Sequence, residues 1–284
     1  MKKFICLCLS IAILSCVSSC ENIQSPQNAA GDEIKATPTA AETDSQRFDI
    51  DSLSNKKMCW GQGYNVNSEN QPLSCVEYNE KFGKFGGMFL NGSGKKTGGK
   101  NIVLTFDEGY ENGFTSAILD TLKKKKVAAV FFVTYDYVKK NPDLVKRMIA
   151  EGHTVGNHSW SHPSMPDLSK DQAKAEISKL HDFVKEQFGY SMKYFRPPMG
   201  EFSERTLAIA SELGYKSVLW SFAYKDYDVN NQPDRSAAMK RITSSAHSDA
   251  IYLLHAVSKT NTVILGDVID NLREQGYKFS LLTS

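Results

Sequence analysis

The chain has 284 residues, 41% of them hydrophobic and 23% charged, which is enough to bury one sizeable core. This composition excludes a collagen, a coiled coil and a globally disordered protein. The 34 lysines and arginines nearly balance the 32 aspartates and glutamates. No basic stripe indicates a nucleic-acid partner.

The first twenty residues have the pattern of an export signal. Two lysines precede the apolar run 4–14, which is too short to span a bilayer. Val17-Ser18-Ser19-Cys20 resembles the lipobox of bacterial lipoproteins, with Cys20 as the lipidated residue. Cys16 is a weaker candidate, and signal cleavage without a lipid is the alternative. We expect a lipoprotein signal peptide over 1–19, and a protein lipid-anchored at the outer face of the cytoplasmic membrane, facing the cell wall.

The next two segments predict a tether and an extension. Residues 20–55 are rich in small and polar side chains, which is typical of a flexible linker. Residues 56–100 carry aromatics and many glycines, and we interpret them as an irregular N-terminal extension packed on the main domain, residues 101–284. Outside the signal region only Cys59 and Cys75 remain. They could form one disulfide or stay free, and an exported protein slightly favours the bond.

From residue 101 the chain alternates strands and helices. Strands are predicted at 101–106, 127–133, 153–157, the residues leading into 196, 216–221, 250–255 and 278–282. Helices are predicted near 114–122, 141–149, 171–188, 203–213, 233–246 and 262–275. Seven strands in 101–284 predict an α/β fold, a distorted seven-stranded (β/α) barrel. No glycine-rich phosphate loop follows the first strand, which argues against a dinucleotide-binding protein.

Polar side chains lie at or just past the ends of five of these strands. They are Asp107 and Glu108, His158 and His162, Arg196, Asp226, and His255. In parallel barrels the chemistry gathers at the carboxyl ends of the strands. We therefore expect these side chains to converge at one mouth, and this convergence is the strongest functional signal in the sequence.

His158 and His162 are four residues apart, so on one helical turn both imidazoles would face one cation. Two unrelated surface histidines are the alternative. Asp107 and Glu108 are neighbours at a strand end and point in different directions, so one could act as a base and the other could face the metal. A pair of helix-capping carboxylates is the alternative there.

The remaining polar residues at the mouth also have plain structural explanations. Arg196 is followed by two prolines that stiffen the chain around its guanidinium, although it could form a surface salt bridge. His255 leaves an apolar strand, although it could be a hydrogen-bonded core histidine. The other histidines of the barrel, His153, His181 and His247, are expected to be structural.

These clusters, in this order, resemble the polysaccharide deacetylases of carbohydrate esterase family four. The motifs are Thr105-Phe106-Asp107-Glu108-Gly109, His158-x-x-x-His162, Arg196-Pro197-Pro198-Met199-Gly200, Asp226-Tyr227 and Leu253-Leu254-His255. Further segments look like the delta-lactam-biosynthetic branch, which deacetylates peptidoglycan N-acetylmuramic acid, commonly for the spore cortex. They are Gly109-Tyr110-Glu111-Asn112-Gly113, Phe202-Ser203-Glu204, Asn230-Asn231-Gln232, His255-Ala256-Val257-Ser258 and, in the extension, Trp60-Gly61 and Phe85-Gly86-Gly87.

The resemblance implies a role for each matching residue. Asp107 would be the general base and His255 the general acid. Arg196 would orient Asp107, with Asp226 holding Arg196. His158 and His162 would bind a divalent metal, zinc from the ligand types. The Met199 N–H would stabilise the oxyanion, and Gly200 and Tyr110 would lie with it at the substrate.

One position departs from the family pattern. Most relatives have Asp, and the delta-lactam branch often has Asn, where this chain has Glu108. Because Glu is one methylene longer than Asp, its role as third metal ligand is open.

We expect a monomeric hydrolase that deacetylates N-acetylmuramic acid in peptidoglycan strands, the step towards muramic delta-lactam. Deacetylation of peptidoglycan N-acetylglucosamine, chitin oligomers or acetyl xylan is the alternative. A non-catalytic wall-binding lipoprotein is a third hypothesis, which the presence of Asp107 and both metal-site histidines disfavours.

Overall fold

The computed structural model describes residues 48–92 and 99–283. The predicted signal peptide, both candidates for the lipidated cysteine and most of the predicted linker lie outside the described residues. Within 48–92 and 99–283, no helix is long and apolar enough to cross a membrane.

The chain alternates short strands with helices. The strands are β1 Met58–Cys59, β2 Gly87–Met88, β3 Asn101–Glu108, β4 Val130–Val133, β5 Thr154–Asn157, β6 Tyr194–Phe195, β7 Glu201–Phe202, β8 Lys216–Val218, β9 Ala250–His255 and β10 Lys278–Phe279. The helices are α1 Leu73–Gly83, α2 Thr115–Lys125, α3 Tyr135–Lys140, α4 Pro142–Ala150, α5 Lys170–Phe188, α6 Glu204–Glu212, α7 Arg235–Ser244 and α8 Lys259–Glu274.

Seven strands form one curled parallel sheet. Its order is β10-β3-β4-β5-β6-β8, and β9 pairs with β3. The curl brings β9 towards the end of β8, where the N–H of Leu253 donates to the carbonyl of Phe222 over 2.8 Å. The predicted distorted seven-stranded barrel is confirmed, and β2 adds one parallel strand beside β8.

The strand register places the polar clusters at the same height. Asp107, on β3, is directly opposite His255 on β9 and Phe132 on β4. The end of β5, Asn157, pairs with Phe195, the residue before Arg196. Because all these strands run in one direction, their carboxyl ends meet at one edge of the sheet.

The N-terminal segment, residues 58–72, is hydrogen-bonded to this edge. β1 pairs antiparallel with β7. The backbone N–H of Trp60 donates to the carbonyl of Gly200 over 3.0 Å, and its indole N–H donates to the carbonyl of Trp220 over 2.9 Å. Residues upstream of the barrel therefore build part of the wall around the carboxyl ends of the strands.

The slight preference for a disulfide is wrong, because both cysteines are free. Cys75 is buried in α1 and its thiol lies 3.8 Å from the carbonyl of Trp220. Cys59 is exposed on β1, with its sulfur 3.8 Å from the carboxylate of Glu201. The two side chains thus face different neighbours.

Candidate active site

A cavity of about 940 Å³ opens at the carboxyl ends of the strands. The predicted residues that line it are Asp107, Tyr110, His158, His162, Met199, Gly200 and His255. Arg196 and Asp226 are almost completely buried next to these lining residues. Nine of the ten predicted site residues therefore gather at one place, and Glu108 is the exception.

A buried arginine fixes the Asp107 carboxylate. Nη1 of Arg196 donates to Oδ1 of Asp107 and to the hydroxyl of Thr105, each over 2.8 Å. Burial alone would raise the pKa of Asp107, but Arg196, together with His158 and His255, offsets this and leaves the pKa below its usual value. The carboxylate is therefore ionised and able to accept a proton at neutral pH. The predicted contact between Arg196 and Asp107 is confirmed.

The two histidines converge without a helical turn, contrary to the prediction. The segment 158–162 is a loop with positive φ at Ser159 (68°) and at His162 (59°). The Nε2 atoms of His158 and His162 nevertheless lie 3.2 Å apart. Nδ1 of His158 faces the backbone carbonyl of Arg196 at 2.9 Å, so it carries the proton and leaves the Nε2 lone pair directed at the cavity.

Helix α5 holds this loop from outside. The Glu176 carboxylate accepts from the backbone N–H of Ser161 over 2.8 Å and from its hydroxyl over 2.7 Å. The backbone carbonyl of Glu176 accepts from the N–H of Trp160 over 3.0 Å. The Ser159 hydroxyl accepts from the His162 N–H over 2.9 Å. These bonds stabilise the two left-handed residues that aim His162 at His158.

The histidine pair fits a divalent cation. Burial lowers the pKa of His158 to about 4 and also lowers the pKa of His162, so both imidazoles are neutral and can donate lone pairs. Two zinc–nitrogen bonds of about 2.1 Å at a tetrahedral angle separate the nitrogens by about 3.4 Å, close to the 3.2 Å observed. Within 48–92 and 99–283, no three His, Cys, Asp or Glu side chains form a metal site. The histidine pair thus offers two nitrogen ligands, and Oδ2 of Asp107 lies 3.5 Å from Nε2 of His158.

Glu108 does not join them. Successive side chains on a strand point to opposite faces, so Glu108 turns away from the cavity that Asp107 lines. It is fully buried, and neither carboxyl oxygen has a hydrogen-bond partner among the described residues. Burial, with repulsion from Glu111 and Asp107, raises its pKa well above the usual value, so the group is neutral. The suggested ligation by Glu108 is not supported, because its side chain lies on the opposite face from the histidines.

Asp226 contacts His255, and the expectation that it holds Arg196 is wrong. Its Oδ1 lies 2.7 Å from Nδ1 of His255, and its Oδ2 accepts from the His255 backbone N–H over 2.9 Å. Nε of Arg196 donates instead to the carbonyl of Val218 over 3.0 Å. Burial by itself lowers the pKa of His255, but the Asp226 carboxylate, together with that of Asp107, outweighs burial and the pKa is raised. His255 thus keeps a proton at higher pH than a free histidine.

Asn261 is a third member of this group that was not predicted from the sequence. The amide of Asn261, near the start of α8, donates to Oδ2 of Asp226 over 2.6 Å and to the carbonyl of His255 over 3.3 Å. A polar residue six positions after a strand-end histidine is a weak signal, because most such residues simply cap a helix.

The edge of the cavity carries a tight turn and aromatic walls. Met199 and Gly200 both have positive φ, at 58° and 67°, and Met199 is half exposed. A Cβ at position 200 would come within 2.7 Å of the Trp220 ring, so the close packing requires glycine. In the lining of the same cavity, the rings of Tyr135 and Trp160 stack with centroids 3.6 Å apart. Neither aromatic was among the predicted site residues.

The parallel barrel brings together an aspartate held by an arginine, two neutral imidazoles and a histidine held by a carboxylate. This combination is that of a hydrolytic enzyme. The family model described as Polysaccharide deacetylase matches residues 94–218. The peptidoglycan-N-acetylmuramic acid deacetylase PdaA of Bacillus subtilis is 40% identical over 230 residues, which cover 81% of this chain and 86% of that protein. The peptidoglycan-N-acetylglucosamine deacetylase PgdA of Listeria monocytogenes is 37% identical over 63% of this chain and 37% of that protein.

The solved structures agree. The structure of Bacillus subtilis PdaA, described as a family 4 carbohydrate esterase, superposes with a TM-score of 0.75 at 40% identity, covering 81% of this chain and 96% of that one. The chain therefore belongs to the polysaccharide deacetylase family, carbohydrate esterase family four, as its motifs predicted. Enzymes of this family are in general metal-dependent.

Proposed function

We propose that this enzyme hydrolyses the N-acetyl group of muramic acid in peptidoglycan. The observation that carries the proposal is the convergence of Asp107, the His158–His162 pair and His255 on one cavity. The similarity to PdaA over most of both chains supports muramic acid as the sugar. The free amine left on that sugar is the group required to close a delta-lactam ring with the lactyl carboxyl group, a step we associate with spore cortex.

The two halves of the site divide the proton transfers. Asp107, ionised and oriented by Arg196, removes a proton from water as the water oxygen attacks the acetyl carbonyl carbon. The tetrahedral intermediate then collapses and the carbon–nitrogen bond breaks. His255, kept protonated by Asp226, gives its proton to the leaving amine, and acetate is released.

Two further contributions surround the reacting carbon. A divalent cation on His158 and His162, for which we propose zinc, would supply Lewis acidity towards water and the carbonyl oxygen. The backbone N–H of Met199 stabilises the developing oxyanion from the turn at the cavity edge, and Tyr110 contacts the sugar.

Acetate release from purified peptidoglycan tests the reaction. The wild-type enzyme is expected to release acetate, to stop after treatment with a chelator, and to recover when zinc is added back. His162→Ala should fold normally and remain inactive. Acetate release that persists in chelator-treated His158→Ala/His162→Ala protein would contradict the metal-assisted mechanism.

We also propose that the enzyme works as a monomer, anchored by a lipid on Cys20 and facing the cell wall. The lipobox-like residues 17–20 and the polar linker support this, since an acylated anchor on a tether lets the domain reach wall glycan. Cys20→Ser is expected to appear in the culture medium. Release of Cys16→Ser instead, with Cys20→Ser still on the membrane, would contradict the choice of cysteine.

A further inference from the structure

A second recess continues from the active-site cavity. It has a volume of about 580 Å³ and shares Ala223 and Tyr224 with the catalytic cavity. Its other wall is the N-terminal segment 61–64. None of the residues assigned a catalytic role lines it. A chain molecule bound across the active site could therefore extend into it without a break.

The walls of this recess are well fixed. The side-chain amide of Gln62 donates to the carbonyl of Ala223 over 3.0 Å, and its oxygen accepts from the indole N–H of Trp220 over 3.1 Å. Farther along, the Asn70 amide donates to the carbonyls of Ser244 and Ala246 over 3.1 and 2.9 Å. The Gln62 bond to Ala223 joins two walls of the recess, and the Asn70 bonds fix the N-terminal segment to the end of α7, the helix that carries Arg241, so the recess is formed before any ligand binds.

The recess is cationic in a nearly neutral protein. Lys225 and Arg241 line it, and none of its lining residues is acidic. In the described ranges, no carboxylate lies within salt-bridge distance of Arg241, and Lys225 has only Asp228, at 3.8 Å. Two cations with so little internal compensation attract an anionic group of a ligand.

An exposed aromatic ring completes the lining. Tyr64 is 89% exposed, although large aromatic side chains are usually at least partly covered. A flat ring beside two cations suits a sugar that carries a carboxylate, because the ring offers its face to the pyranose while the cations bind the acid.

We propose that this recess is a subsite for the carboxylate of a neighbouring muramoyl residue on the same glycan strand, with Arg241 and Lys225 binding the acid and Tyr64 contacting the sugar. The proposal rests on the proposed function, since it assumes a peptidoglycan strand in the cavity. Such a subsite would make the enzyme prefer strands over single disaccharides. Binding of the carboxylate at this subsite would also weaken with added salt, because the charges are near the surface.

The test compares Lys225→Gln/Arg241→Gln with the matched control Lys240→Gln, which removes a neighbouring exposed cation of α7 that lines neither cavity. On peptide-free strands the double variant is expected to raise KM roughly tenfold with kcat unchanged, and the control to leave both constants unchanged. Amidating the lactyl carboxylates should raise the KM of the wild type by the same factor and leave the KM of the double variant unchanged. If instead the difference appears only on strands with stem peptides, the carboxylate comes from the peptide.

Direct binding of the same strands keeps this test separate from that of the reaction. The double variant should bind roughly tenfold more weakly than the wild type and Lys240→Gln. Equal affinity of all three proteins, both for peptide-free strands and for strands with stem peptides, would overturn the subsite. Tight, charge-dependent binding without acetate release would leave the subsite intact and would instead contradict the proposed function.

Discussion

At the scale of single residues, Glu108 shows how neighbours on one strand take unrelated roles. Asp107 is ionised beside a guanidinium, whereas Glu108 is buried on the other face with a strongly raised pKa. A group whose pKa is higher in the folded state holds its proton there but loses it on unfolding. Its cost to stability therefore grows as the pH rises above the ordinary glutamate value of 4.5.

Glu108→Gln should consequently stabilise the protein at neutral pH. The gain is at most about 1.4 kcal/mol for each pH unit above the ordinary glutamate pKa, up to the raised pKa of the folded state. The gain should disappear below pH 4.5, where both states are protonated. Zinc affinity should hardly change, since Glu108 lies away from the histidines. Thermal unfolding across pH, with zinc titration, measures both. A large loss of zinc affinity would contradict this placement.

Asp226 controls the protonation of His255. Because the neighbouring carboxylate raises the pKa of His255, its removal should let the imidazole lose its proton at lower pH. Asp226→Asn is therefore expected to move the alkaline limb of the kcat/KM profile to lower pH, with reduced activity at its optimum. An alkaline limb that stays in place would show that another group is the general acid.

The sequence predicted which residues lie at the site better than it predicted their contacts. Asp107, His158, Arg196 and His255 each lie at or just past the end of an apolar strand, and that position alone places them at the barrel mouth. The partner of Asp226 could not be predicted in the same way. It depends on how the loop after β8 folds back onto β9 and on Asn261. Asp226 is 29 residues from His255 in sequence and 35 from Asn261, so no local pattern predicts these contacts.

At the scale of elements, the loop 158–162 illustrates a second limit. The spacing of its histidines is equally compatible with a helical turn and with a loop, so the spacing predicted convergence while the predicted backbone was wrong. Helix α3 was missed for a related reason. Its start depends on Thr134, whose side chain accepts from the Tyr137 N–H, and that cap directly follows an uninterrupted apolar strand.

The hold of α5 on this loop gives an element-level prediction. Glu176→Ala removes the acceptors for the Ser161 N–H and hydroxyl, so His162 should be less well oriented and zinc affinity should fall by roughly tenfold or more. Glu186→Ala, at an exposed position on the same helix, is the matched control. Equal zinc affinity in the two variants, measured by titration, would show that the loop is rigid without Glu176.

In the protein as a whole, the barrel carries the catalytic residues, and the N-terminal segment forms a wall of the recess beside the active-site cavity. The barrel could be predicted from strand–helix alternation because each strand is a compact apolar run, and β4 has all four residues buried. The segment 58–72 could not be predicted in detail. Its placement rests on long-range contacts such as that of Trp60 with Trp220, for which no local periodicity exists.

The identity of the deacetylated sugar is the most direct test of the proposed function. Peptidoglycan would be treated with wild-type enzyme or with Asp107→Asn, digested to disaccharides and analysed by mass spectrometry that resolves the two sugars. We expect muramic acid to lose its acetyl group, N-acetylglucosamine to keep it, and Asp107→Asn to leave both unchanged or to act at least a hundredfold more slowly. Loss of acetyl from N-acetylglucosamine alone would contradict the assignment of muramic acid as the substrate.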